Sequence, residues 1–182
     1  HPYIQRIGIN RGWRSRWFTT SPAKFREYLR VDAALRKMLK VRLKGMSVDG
    51  LEIERSEKAI RLVIKTSRPG IVIGRSGEGI TKLKKDIDMF LRKQKMSEDL
   101  ELKIDIEEIR SPESSAQIVG QMIAEGLEKR MTFRRVMKQT AEKVMANRDV
   151  EGVRIILSGR LGGTDMARKE EIKRGRVPLQ TL

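Results

Sequence analysis

Apolar residues recur at helical spacing from Phe25 to Leu39. Phe25, Tyr28, Leu29, Leu35 and Leu39 make one stripe, while Arg26, Arg30, Arg36, Lys37 and Lys40 take other faces. Ser21 and Pro22 supply N-cap and first-turn signals, so a helix is predicted to begin there. The period then changes to two: Leu51, Ile53 and Arg55, then Ile60, Leu62 and Ile64, flank a turn at Ser56, Glu57 and Lys58 and read as a hairpin. Arg68 and Pro69 break the second strand, and Ile71, Val72 and Ile73 suffice for one helical turn before a glycine-rich loop. A helix is predicted from Ile80 to Met96. Ile80, Leu83, Ile87, Phe90 and Leu91 face inward, and Lys82, Lys84, Lys85, Arg92, Lys93 and Lys95 face outward. Alternation at Leu100, Leu102, Ile104 and Ile106 gives a closing strand.

Ser111 and Pro112 repeat the capping pair and open a second unit. Ile118, Val119, Met122, Ile123 and Leu127 form one apolar helical face. Phe133, Val136, Met137, Thr140, Val144 and Met145 form another, ending near Asn147. Val153, Ile155 and Leu157 alternate as a strand, and Gly159, Gly162 and Gly163 punctuate a turn. Residues 166–174 have helical propensity, yet a lone strand at 153–158 needs a partner, so a second strand is expected there. Residues 1–20 carry Arg6, Arg11, Arg14 and Arg16 among Trp13, Trp17 and Phe18 with no period. They read as an arm that orders against another surface, the alternative being that Trp13 and Trp17 pack on the following domain. The expectation is an α+β chain of two-layer α/β units: arm 1–20, a first domain 21–108 and a smaller α/β domain 109–182.

The loop Gly74-Arg75-Ser76-Gly77, between an apolar triplet and a helix start, is the arrangement a KH module uses to approach a single-stranded nucleic-acid backbone. Glycines remove side chains that would hold sugar and phosphate away, and helix-start N–H groups with Arg75 favour an anion. A nucleotide P-loop fails, because Gly79 is followed by Ile80 and Thr81 instead of Lys and Ser/Thr. A dinucleotide fingerprint fails as well: Lys82 stands where the third glycine belongs. A plain glycine turn is the bland alternative, and the order helix, strand, strand, short helix, glycine loop, helix, strand decides for a type II KH fold.

Net charge is +16 over 182 residues, which favours a polyanionic partner. Aromatic residues are 4%, too few for a platform of stacking rings, so recognition by backbone and shape fits better. The absence of cysteine excludes thiol chemistry and thiolate metal sites, and a single histidine, His1, excludes a histidine triad or a multi-histidine metal centre. The adjacent carboxylates Glu107-Glu108 and Glu170-Glu171 read as solvated faces, so no catalytic residue, metal site, cofactor or small-molecule substrate is expected. No apolar run is long enough to span a membrane, and no membrane partner is expected.

An ordered set of segments resembles the family of the third protein of the small ribosomal subunit in its bacterial-type form. These are His1-Pro2 with Arg6, Gly8 and Ile9; Arg68 to Arg75; Met131 to Lys138; Ser158 to Gly163; and Gly175 to Leu179 with Thr181 and Leu182. The resemblance implies a ribosomal protein in the cytoplasm or an organelle, with small-subunit ribosomal RNA, messenger RNA and neighbouring head proteins as partners. Its implied RNA contacts are Gly74, Arg75, Ser76, Gly77, Lys82, Lys85, Arg6, Arg11, Arg14, Arg16, Arg160 and Arg176. It further implies that Arg134, Arg135 and Lys138, which crowd one side of a helix, face messenger RNA at the entrance of the subunit. Family members usually extend past both ends of this chain, so truncated termini are expected. Ile4-Gln5, Ser76 and Gln180 depart from the usual Gly-Phe, lysine and histidine. A separate KH-type regulator of single-stranded RNA is the competing function.

Overall fold

The computed structural model describes residues 4, 7–9, 12–56, 59–94 and 101–178. They divide into two compact units, Trp13–Arg110 and a second that groups the described residues before Trp13 with those from Ser111 onward.

In the first unit the elements are β1 (Ser15–Arg16), α1 (Pro22–Arg42), β2 (Val48–Arg55), β3 (Ala59–Thr66), α2 (Pro69–Ile73), α3 (Glu78–Lys93) and β4 (Glu101–Glu108). The sheet runs β1-β2-β3-β4, with β2 and β3 antiparallel and β4 parallel to β3. From α1 onward this is the expected element order of a type II KH fold. The core joins Val31, Leu35 and Leu39 of α1, Ile53, Ile60, Leu62 and Ile64 of the hairpin, and Leu83, Ile87 and Leu91 of α3. Each such side chain contributes about 1.5–3 kcal/mol through removal from water.

The other sheet face is a ladder of ion pairs across the strands. Arg16 meets Glu52 and Glu54, Glu54 meets Arg61, and Arg61 Nε donates to Asp105 at 2.5 Å. Lys65 bridges Glu52 at 2.8 Å and Glu107 at 3.6 Å. This face neutralises itself, so it offers no excess charge to a polyanion.

Two expectations are corrected here. The α1 stripe was predicted to bury Phe25 and Leu29, yet they are 49% and 54% exposed, and the inward line is Val31, Asp32, Leu35 and Leu39. Secondly, the arm was expected to run through residue 20, but Ser15–Arg16 pairs in parallel with Ile53 and Glu54 of β2. Ile53 N donates to the Arg14 carbonyl at 2.9 Å, and Trp17 packs edge-on against Tyr28. Two paired residues leave no periodic trace in a sequence, which is why the edge strand was invisible. The first half of the arm, including Arg6 and Arg11, lies largely outside the described residues, as do Glu57, Lys58, Lys95, Met96 and Leu100.

The second unit contains α4 (Ala116–Glu128), α5 (Phe133–Met145), β5 (Gly152–Gly159) and β6 (Arg168–Gly175). The cap of α4 is Ser115, whose hydroxyl accepts from Ile118 N at 3.3 Å. Ser111 was the expected cap; it begins a 3-10 turn, Pro112–Ser114, instead. The last strand forms where predicted, antiparallel to β5 with Ile155 opposite Ile172. Val119, Ile123, Val136, Met137, Ala141, Val144 and Ile155 make this unit's core.

Candidate nucleic-acid interface

Pro69 starts α2 and Gly74 ends it, turning left-handed at φ +74°. A 3-10 turn, Arg75–Gly77, follows, with Ser76 at φ 53° and Gly77 at φ 78°, and α3 begins at Glu78. The glycines have different duties. A Cβ on Gly74 would stand 2.9 Å from Gly79 N, and one on Gly79 would stand 2.5 Å from the Val72 carbonyl oxygen. Those two let α2 and α3 close on each other. A Cβ on Gly77 would meet nothing within 4 Å, so its bare backbone faces open space. The loop therefore offers an external backbone its approach at Gly77, whereas Gly74 is needed for internal packing.

Arg75, Lys82 and Lys85 are exposed around this loop and the first turns of α3. Lys82 shares its charge with Glu78, 3.3 Å away, and among the described residues no ion pair engages Arg75 or Lys85. Beside the loop a cleft of about 220 Å³ is lined by the basic Arg42 and Lys82 and the apolar Ile71, Val72 and Leu83, and Arg42 is paired with Asp86 at 3.3 Å. Cationic edges with an apolar wall suit a phosphate together with a sugar or base face.

The remaining expected contacts are dispersed. Arg14 and Arg16 sit at the β1 edge, where the Arg14 carbonyl accepts from Arg36 Nη2 at 2.6 Å and Arg16 is held by carboxylates. Arg160 donates to the Thr164 carbonyl at 2.9 Å inside the β5–β6 turn. Arg176 follows β6, its N–H on the Glu151 carbonyl at 3.0 Å, with the side chain exposed.

On α5 the sequence places Arg134, Arg135 and Lys138 outward because Val136 and Met137 fill the core side. Arg134 reaches Glu170 at 3.5 Å, while among the described residues no ion pair engages Arg135 or Lys138. Glu170 and Glu171, read as merely solvated, prove to be counter-ions on opposite faces of β6. Glu171 accepts both Nε and Nη2 of Arg154, at 2.8 and 2.9 Å, which holds its carboxyl below and the guanidinium above their ordinary pKa values.

Comparison with known proteins now adds to this geometry. Residues 34–114 match the family described as KH domain, and residues 123–182 match Ribosomal protein S3, C-terminal domain. Proteins named small ribosomal subunit protein uS3 match the entire chain. The one from Caldicellulosiruptor saccharolyticus is 42% identical over 182 residues, which is 78% of its own length. That from Desulfatibacillum aliphaticivorans is 42% identical over 79% of its length, and that from Chromobacterium violaceum 43% over 74%, each again covering all of this chain. The chain belongs to the uS3 family. Its KH domain carries the glycine loop described above.

Sequence reasoning missed three features of this uS3-family member. Gly79 enters the sequence reading only in the rejection of a nucleotide P-loop, though its absent Cβ is what seats α3 on α2. Asp32 in α1 is 2% exposed and accepts from Trp17 Nε1 at 2.8 Å and Arg55 Nε at 2.9 Å. Arg168, unremarked in the sequence, shares Glu170 with Arg134. A charged residue on an apolar stripe was the available signal for Asp32. Among the described residues no cluster of metal-binding side chains occurs, and no helix is long and apolar enough to cross a membrane.

Proposed function

We propose that this chain is a structural component of the small ribosomal subunit, acting on ribosomes in the cytoplasm. It binds ribosomal RNA through the glycine loop and its basic surroundings, and presents Arg134, Arg135 and Lys138 to incoming messenger RNA. The observation that carries the reading is the match of the whole chain to proteins of that name at about 42% identity. The open backbone at Gly77 supports the RNA contact, because the KH mode of recognition needs a loop onto which a sugar-phosphate backbone can close. The contacts would be largely to phosphates, hence indifferent to sequence and weakened by salt.

Because the chain has no cysteine, single cysteines can carry a hydroxyl-radical source without background labelling. From Ser76→Cys in assembled subunits, cleavage of small-subunit ribosomal RNA is expected; from Lys138→Cys, cleavage of bound messenger RNA. Cleavage of neither RNA from either position would refute the placement. A chain that binds messenger RNA but never enters subunits would instead be the separate KH regulator.

A further inference from the structure

Arg134 and Arg168 come from different elements, the first turn of α5 and the first residue of β6, yet they converge on the same two groups. Each guanidinium carbon lies 5.7 Å from the centre of the Phe133 ring. Each also directs an Nη2 to the same oxygen of Glu170, at 3.5 Å from Arg134 and 3.1 Å from Arg168. The β5–β6 register explains the meeting: Arg168 pairs with Gly159 and Glu170 with Leu157, so both point to the sheet face against which α5 packs. Phe133, half-buried at the start of α5, supplies the platform, and a Cβ on Gly162 would come within 3.7 Å of its ring edge.

The arrangement holds two cations close together at the expense of one anion. A guanidinium has five N–H donors. Glu170 forms an ion pair with one Nη2 of each arginine, which leaves the other edges of both guanidinium groups for a further anion. Arg134 is 74% and Arg168 44% exposed at the side chain, so those edges meet solvent. Ring and carboxylate restrict both side chains in advance, which lowers the entropy lost when an anion is bound. A phosphate diester, with two free oxygens, matches a pair of fixed guanidinium edges better than it matches two independent lysines.

We propose that Arg168 is a further RNA-backbone contact, forming with Arg134 a paired-guanidinium phosphate site that Phe133 and Glu170 hold together. This rests on the reading that the outer face of α5 meets single-stranded RNA. The site belongs jointly to the helix and the β5–β6 hairpin, and Glu170 is a positioning residue within it.

The test is titration of a labelled, unstructured polyuridine with the full chain over a salt series, comparing R168A, R168K, R134A, the double variant R134A/R168A and the triple variant R134A/R135A/K138A. Removal of one phosphate contact should weaken binding several-fold and reduce the magnitude of the log-affinity against log-salt slope by about 0.7. R168A should show both effects, and R168K should recover the slope but only part of the affinity. R134A and R168A should be coupled, the double variant losing less than the product of the single losses. If R168A lowers the melting temperature enough to unfold the chain, R168Q, which keeps most of the stem, is read in its place. Unchanged affinity in R168A while the triple variant binds weakly would overturn the paired site and leave the α5 face standing. Uncoupled losses would overturn it too, since they would mean two independent cations. Unchanged binding in the triple variant would defeat the α5 reading itself.

Discussion

Arg55 donates from both Nε and Nη2 to a single carboxylate oxygen of Asp32, and the two side chains are only 4% and 3% exposed. The pair joins the end of β2 to the middle of α1, and Trp17 Nε1 caps the second carboxylate oxygen at 2.8 Å. Tyr28 covers the Arg55 guanidinium at 4.9 Å. A charge pair this buried is satisfied only as a set, so removing one member leaves the other uncompensated. Asp32→Ala should therefore destabilise the KH domain by about 3–5 kcal/mol. Urea unfolding followed by tryptophan emission measures it, because Trp17 belongs to the set. A loss below about 1 kcal/mol, the range of exposed pairs, would contradict this description.

The glycines of the loop should separate by experiment. Gly79→Ala drives a Cβ against the Val72 and Ile73 carbonyls, at 2.5 and 2.7 Å, and should cut stability first. Gly77→Asp meets open space, so beyond about 1–2 kcal/mol for a left-handed non-glycine residue it should spare the fold and lower RNA affinity. Gly77→Asn, which tolerates that backbone and adds no charge, should lie between wild type and Gly77→Asp in RNA affinity. Equal RNA binding by all three loop sequences would reduce the loop to a turn.

The charged sheet face carries a pH signature. The hydrogen bond from Lys65 holds the Glu52 carboxyl below its ordinary value near 4.5, and the same contact raises Lys65. A depressed carboxyl stabilises the fold above its unfolded pKa and loses that effect as pH falls through the folded one. The stability gap between wild type and Glu52→Gln should thus be constant from neutral pH down to about 4.5 and close with further acid. Urea midpoints across that range test it. A gap that widens in acid would reverse the assigned sign.

Much of this molecule is legible in its sequence where one element decides its own fate. The α3 face at Leu83, Ile87 and Leu91 follows from period, and β6 follows from the need of β5 for a partner. What escaped was decided by distant residues. Phe25 and Leu29 fit the α1 stripe as well as Val31 does, but only the turn of the helix against β2 tells which side is inward. Asp32 reads as a solvated charge until Arg55 and Trp17 are brought to it. Likewise the glycine loop is legible as a loop between two helices, yet its sequence could not say that Gly74 and Gly79 serve packing while Gly77 is open.

Alanine at Arg134, Arg135 and Lys138 together should leave assembly into subunits near normal, since these side chains are exposed and the core under them is untouched. Initiation on structured messages, or passage through them, should be impaired. Measuring subunit incorporation and translation of hairpin-bearing messages in parallel checks both halves. Failure of the triple variant to assemble would show that the face binds ribosomal RNA.

Sedimentation through a sucrose gradient at physiological salt tests the ribosomal assignment most directly. The tagged chain should travel with small subunits, resist a salt wash that strips loosely bound protein, and lose occupancy when Gly77→Asp and Arg75→Ala are combined. Recovery of the wild-type chain at the top of the gradient, bound to messenger RNA and free of subunits, would contradict it.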